Sequence, residues 1–363
     1  MGVPISGSGL LQTELGLSAT QLTLALFTLP SAFALLVEPP LMIWASRRPP
    51  GRVIAVALGA VGLGALLTAH ARSFGALLVA LLVWYPAIGI ATVRGEAALM
   101  DAEPDQRARN LTRWTLAGTV GDLAAPGLLA LSLKLGASHR GALVVVTLIA
   151  WAAAIRLWRL SPPHATSDDD DEPSLRRALA TLLGNRRLAL WMIGAALCDL
   201  MDETLVALAA LRVQARFGGD ATPLTVVLGA LTASAVVGLS AADWLLARVP
   251  ARRLLALASL TSLVAFTLFL LSFDLPSMAA SAFLVGASAS LHHPLAQSEA
   301  YAALPHDAGM VATLGTFFGV SFLISPPLLG WAADTHGLTA ALALLLAQPV
   351  GLLVVLALTH RSG

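Results

Sequence analysis

Three carboxylates crowd one short stretch of an otherwise apolar segment: Asp199, Asp202 and Glu203, between Leu188 and Leu211. On a continuous helix, spacings of i, i+3 and i+4 put all three on one face. Crowded like charges resist ionising together, so the cluster suits carboxyls that gain and lose a proton. Two other groups fit the same chemistry. Asp122 stands alone beside Gly121, whose missing side chain leaves room for a partner. His292 and His293 precede Pro294 in a third apolar segment, and histidine titrates in the physiological range. Adjacent rings cannot face the same way, so proton exchange and a hydrogen-bonded histidine at a kink are equally open readings. Each acid also has a structural reading, as polar glue between neighbouring helices.

The elements that hold these groups are membrane-length. The chain has 363 residues, 57% hydrophobic and only 12% charged, with mean hydropathy +0.80. A soluble domain carries about twice that charged fraction. Apolar residues fall in blocks of roughly 20, the length needed to cross ~30 Å of hydrocarbon as a helix. Backbone groups cannot stay unpaired in lipid, so the blocks are helices or a closed barrel, and they are too long and uniform for barrel strands. Eleven spans are expected, at about 20–45, 53–70, 74–93, 112–135, 140–160, 188–211, 222–247, 254–273, 276–300, 309–332 and 338–359. Asp199 lies eleven residues past Leu188, about 16 Å along a helix, which is mid-depth. An ionisable group there costs ~2.5–3.5 kcal/mol even on the lenient insertion scale. Asp122 is expected at similar depth.

One pattern occurs twice. Trp44, Arg48, Pro50 and Arg52 return 200 residues later as Trp244, Arg248, Pro250 and Arg252. The chain is a duplicated unit, read as 1–160, a charged linker 161–187, and 188–363. Subtracting the offset from the sixth span predicts that Met1–Leu11 is the tail of a first helix. Either a start-site error or a true eleven-span chain with an outside N-terminus accounts for that. Alternating the loops places seventeen of the 22 Arg and Lys on one side. That side is cytoplasmic and includes the linker, both repeated loops and the C-terminus. A multi-pass protein of the plasma or inner membrane is expected. Ser174 is placed to cap a short amphipathic helix on the membrane surface.

These features resemble the major facilitator superfamily. The resemblance rests on six plus six spans around a charged linker and on a basic loop repeated in both halves. The second copy offers Gly238, Asp243, Arg248, Arg252 and Arg253; the first keeps Arg47, Arg48, Gly51 and Arg52 but has Ile43 where Asp243 sits. A third likeness is the segment Gly118, Gly121, Asp122, Pro126 and Gly127, similar to the Gly- and Pro-rich helix five of antiporters in that family. Gly319, Pro326, Pro327 and Gly330 echo it about 200 residues on. The resemblance implies an all-α membrane protein of two pseudo-symmetric six-helix bundles, with helix one largely missing here. It also implies a secondary active transporter working by alternating access.

The residues refine that expectation. Proton coupling and substrate contact fall to Asp199, Asp202, Glu203, Asp122, His292 and His293. A cytoplasmic gate falls to Glu38, Arg48, Arg52, Arg94, Glu96, Asp243, Arg248, Arg252 and Glu299, with Glu38 and Glu299 expected to meet Arg94 or the loop arginines. No Arg or Lys is expected at mid-depth, which disfavours anionic solutes. Asn110 and Asn185 are the only asparagines, which disfavours sugars. An amphipathic or cationic organic solute fits best, with protons as co-ligand and export as the favoured direction. Trp84, Tyr85 and Trp191 are read as packing before cavity lining. Proton-driven nutrient uptake, or a non-transporting receptor or structural protein, are the alternatives. No loop carries a catalytic His or Asp motif, so no enzyme, cofactor or metal is expected. The run Asp168–Asp171 lacks a turn-forming calcium loop. Cys198, the only cysteine, is read as a packing residue. A monomer without nucleic-acid partners is expected.

Overall fold

A computed structural model describes the chain apart from residues 1–2, 5–6, 19–20, 23, 47, 162–174, 202, 219–220, 306, 319 and 361–363, and apart from the side chains at 9, 46, 175–178, 203, 221, 320–323 and 326. Arg47, Asp168–Asp171, Ser174, Asp202 and Gly319, and the side chains of Arg176, Arg177, Glu203 and Pro326, therefore lie outside the described residues.

Every regular element described is helical, as hydrocarbon requires of segments that must satisfy their own backbone. In order they are α1 (Ser8–Leu15), a π-turn at Leu24–Thr28 running into α2 (Leu29–Ser46), α3 (Pro50–His70), α4 (Phe74–Ala102), α5 (Arg107–Lys134) and α6 (Ser138–Leu160). Then come α7 (Leu175–Gly184), α8 (Arg186–Leu197), α9 (Glu203–Phe217), α10 (Ala221–Leu245), α11 (Ala251–Leu271), α12 (Leu275–Ala289) and α13 (His292–Ala303). The chain ends with α14 (Ala308–Phe318), α15 (Val320–His336), α16 (Leu338–Leu344) and α17 (Ala347–His360). The linker helix α7 exposes Leu179 and Leu183 one turn apart, the apolar face expected of a surface-lying helix.

Among the described residues, eight segments are long and apolar enough to cross a membrane. The eleven spans expected from hydropathy differ because three are divided: 188–211 into α8 and α9, 276–300 into α12 and α13, and 309–332 into α14 and α15. The last division falls at residue 319, outside the described residues.

The chain gathers into two compact units, each built from non-contiguous segments. One holds Met1–Leu99, Val120–Leu179 and Ala308–Phe317; the other holds Met100–Thr119, Ala180–Asp307 and Phe318–Gly363. In the first, Leu26, Leu77, Leu81, Trp84 and Leu143 form a continuous core. Gly64 lets Trp84 lie flat on α3: a methyl there would stand 2.7 Å from the Trp84 Cβ. In the second unit the core is Leu205, Leu208, Val213, Val227, Phe266, Phe269 and Met278. Helices α10 and α12 approach backbone to backbone. A methyl at Gly238 would overlap the Ala287 carbonyl, and one at Gly286 the Leu231 carbonyl. Small residues at helix contacts are how membrane helices gain van der Waals contact where lipid offers no hydrophobic drive. In the turn before α12, Asp274 caps the helix, accepting from the Ser277 backbone N–H at 2.9 Å and the Ser277 hydroxyl at 2.7 Å. Those bonds hold its carboxyl below the usual carboxylate range.

Candidate functional site

The duplicated pattern folds the same way twice. Arg48 stacks on Trp44 with its guanidinium 4.2 Å from the ring centre, and Arg248 stacks on Trp244 at 3.9 Å. The i, i+4 spacing on a helix end brings the pair together. Both tryptophans are about half exposed, as rings at a membrane–water interface are. The prolines follow suit: Pro50 opens α3 and Pro250 caps α11, positions where a missing N–H costs nothing. The fourth element diverges in partner. Arg52 lies 5.2 Å over Trp158, whereas Arg252 lies 5.7 Å over Trp191.

Around the second of these loops the second unit assembles two ion-pair groups. Asp243, at the end of α10, receives Arg109 at 2.8 Å and Arg113 at 2.7 Å, both from α5. One turn separates the two arginines, so one carboxylate accepts from both. Glu299 on α13 receives Arg252 at 2.7 Å and Arg187 at 3.3 Å. Glu299 thus meets a loop arginine, while Asp243 meets arginines that the sequence reading had not assigned to it. Arg248 instead donates to its own turn, to the Trp244 carbonyl at 3.0 Å. Nearby, Asn185 caps α8 and donates to the Ala303 carbonyl at 3.1 Å, and Arg107 donates to the Pro305 carbonyl at 2.9 Å.

Glu38 behaves differently from expectation. It is half-buried in α2, with its carboxylate laid over Gly89 of α4, where a methyl would overlap it. Among the described residues it makes no hydrogen bond or ion pair. Arg94 on the same α4 is buried, about five residues and ~7.5 Å further along the helix. Glu96 also lies on α4, towards its C-terminal end. Where α2 begins, the Tyr85 hydroxyl of α4 donates to the Leu26 carbonyl inside the π-turn, a type of insertion that recurs at functional positions. Trp84 and Trp191 are packed at 1% and 0% exposure, which removes them from any cavity wall.

The acidic cluster is not on one continuous helix face. The span breaks at a 3₁₀ turn, Cys198–Met201, between α8 and α9. Asp199 is in that turn and half-buried. The expectation of a single i, i+3, i+4 face is therefore corrected, because the ladder changes pitch under the first acid. Two further breaks lie in the same unit, at Ser290–Leu291 before α13 and at Leu345–Leu346 before α17. Each has the same cause. Pro294 and Pro349 carry no N–H, so the carbonyls four residues earlier, at Ser290 and Leu345, lose their ladder donor. His292 is fully buried beside its break and His293 is exposed. Asp122 on α5 is also exposed.

A side chain that the sequence reading passed over ties the three breaks together. Gln348, 1% exposed, accepts the Met201 N–H on Oε1 at 2.7 Å and reaches His292 Nδ1 with Nε2 at 2.9 Å. Ser262 of α11 donates to the Met201 sulfur at 3.8 Å. The available signal was a polar residue directly before a proline in each of two apolar spans: His293-Pro294 and Gln348-Pro349. No group of three or more His, Cys, Asp or Glu among the described residues is arranged to hold a metal.

A duplicated helical membrane body with interrupted spans and polar side chains at the interruptions is the architecture of a secondary transporter. The Major Facilitator Superfamily model matches residues 2–198, and the chain belongs to that family. Among solved structures the fold is similar to a variant of the E. coli fucose:proton symporter FucP, with TM-score 0.78, 17% identity and coverage of 100% of this chain and 95% of that one. FucP in the outward conformation gives TM-score 0.69 at 16% identity, covering 98% and 90%. The human organic anion transporter MFSD10 (TETRAN) gives 0.69 at 18% identity, covering 97% and 88%. No curated protein sequence matches. At these identities the likeness is one of fold.

Proposed function

We propose that the chain is a proton-coupled transporter of a small amphipathic or cationic organic solute, exporting it across the plasma or inner membrane. The observation that supports coupling most directly is Asp199 in the helix break. Discontinuous membrane helices place polar backbone and ionisable side chains where solute and ion are bound. Glu38, an acid in α2 without a partner among the described residues, is the second candidate carrier. Asp202, Glu203, Asp122, His292 and His293 complete the candidate set, and Glu96 joins Glu299, Asp243 and the loop arginines on the cytoplasmic side. Solute and proton bias the halves 1–160 and 188–363 between two states, as ligands with unequal affinity for those states must. FucP, similar in fold, is a fucose:proton symporter. The dearth of asparagine still argues against a sugar here.

The test uses the purified full chain in liposomes loaded with a pH-reporting dye. Adding ethidium, an amphipathic cation, is expected to drive proton movement opposite to the cation. Proton movement in the same direction as the solute favours uptake instead. No proton movement with ethidium or with a panel of neutral and cationic solutes overturns the transport reading in favour of a receptor or structural role.

A further inference from the structure

We propose that Gln348 is a positioning residue that holds the Cys198–Met201 break in shape, and that its hold lasts only while His292 is neutral. The argument rests on which atoms can donate. The Met201 backbone N–H is a donor and nothing else, so the atom 2.7 Å from it must be the amide oxygen of Gln348. That contact fixes the orientation of the amide. Its NH₂ therefore faces His292, and it too can only donate. The Nδ1 atom 2.9 Å away must then be the acceptor, and the ring must be the neutral tautomer with its hydrogen on Nε2. Nε2 meets no partner at hydrogen-bonding geometry, with the Ala258 backbone carbonyl of α11 the polar group beside the ring.

A proton added to Nδ1 changes the accounting. The imidazolium has two donors and no acceptor, so its N–H would point at the N–H of the amide. Turning the amide over offers Oε1 to His292 but points NH₂ at the Met201 N–H. One amide cannot serve both. Protonation of His292 and the bond to Met201 are mutually exclusive, and the loser is a buried backbone N–H, a costly group to leave unmet.

Nothing else nearby substitutes. His292 and Gln348 are 0% and 1% exposed. The helices packed around them carry Arg186 and Arg187 on α8, Arg252 and Arg253 on α11, Glu299 on α13 and His360 on α17, all towards helix ends. Arg187, Arg252 and Glu299 are engaged with one another. His293 is exposed and turned away. Asp199 shares the 3₁₀ turn with Met201, so release of Met201 frees the segment that carries this acid. The device links the charge of a buried ring on α13 to the backbone of the span that holds Asp199, through α17.

Cys198 provides the readout. It is the only cysteine, it is buried, and it begins the same turn. The experiment measures N-ethylmaleimide labelling of Cys198 in the full chain in detergent, divided by labelling of free cysteine at the same pH to remove the thiolate effect. Between about pH 7 and about pH 3.5, a window wide enough to charge a fully buried imidazole, the relative rate in the wild type is expected to rise about tenfold as the Met201 bond is released. His292→Gln supplies an uncharged side chain that cannot be protonated in this range, and should give slow labelling at both pH values. Gln348→Leu should label fast at both. Gln348→Glu, which accepts from both neighbours, should restore slow labelling. A pH-independent wild-type rate overturns the proposal, as does a pH rise that persists in His292→Gln. If Gln348→Leu does not fold, those two measurements decide. Labelling needs no solute, so the outcome is independent of whether the transport assay succeeds.

Discussion

An acid inside a membrane helix must be met by a cation, by hydrogen-bond donors or by a proton. Glu38 has neither of the first two among the described residues, and Gly89 beneath it offers only backbone. Glu38→Gln copies the shape of the protonated acid, so the fold should survive. Solute movement driven by a pH gradient should fall by about a hundredfold, the scale on which positioned proton-transfer groups contribute, while solute exchange without a gradient continues. Gradient-driven uptake at the wild-type rate in that variant would remove Glu38 from the coupling path. Asp274 tests a smaller point outside the membrane. Its depressed pKa means that it stabilises the fold above the unfolded value of about 3.9, and that this contribution is lost as pH falls through the lower folded value. Asp274→Ala should therefore lower the melting temperature at neutral pH, with the gap to wild type closing in acid. A gap that widens in acid would contradict the cap.

At the level of helices, close approach through glycine is the device that a single substitution probes best. Gly286 sits against the Leu231 carbonyl, which is backbone and cannot swing aside. Gly286→Ala should cost ~1–3 kcal/mol through overpacking, read as a lowered midpoint of thermal unfolding in detergent. Gly229→Ala, on the partner helix α10 but with no atom within 4 Å of the added methyl, is the control and should be neutral or slightly stabilising. Equal melting in both variants would mean that α10 and α12 do not meet as described. The sequence carried this level unevenly. Helical spans were legible because apolar length and the demands of lipid leave one solution. The Trp44/Arg48 and Trp244/Arg248 stacks were legible as a repeat, though not as stacks. The breaks were marked by Pro294 and Pro349, but proline also lies inside continuous helices, as Pro86 and Pro126 do. The break at Cys198–Met201 carries no proline, so hydropathy reads straight through it. Gln348 was hidden because one amide in an apolar span says nothing of which distant N–H it will meet.

For the molecule as a whole, orientation is the property on which the functional reading turns. Seventeen of 22 basic residues fall on one side when the loops alternate, and from that bias we propose that this side is cytoplasmic. The divided spans bear on that assignment. Losing or adding a crossing at 188–211 would move Arg248, Arg252 and Arg253 to the opposite side from Arg48 and Arg52, and the two copies of one pattern would face different compartments. Their shared Trp–Arg stacks argue for one environment, hence for α8 and α9 counting as a single crossing. A cysteine placed at Asp170, on a Cys198→Ala background, should be labelled by a membrane-impermeant maleimide only after the cells are opened. Phe273→Cys, at an exposed position in the turn before α12, should be labelled in intact cells. The reverse pattern would invert the carrier and with it the meaning of export, while labelling of both sites in intact cells would show that the spans between them do not all cross.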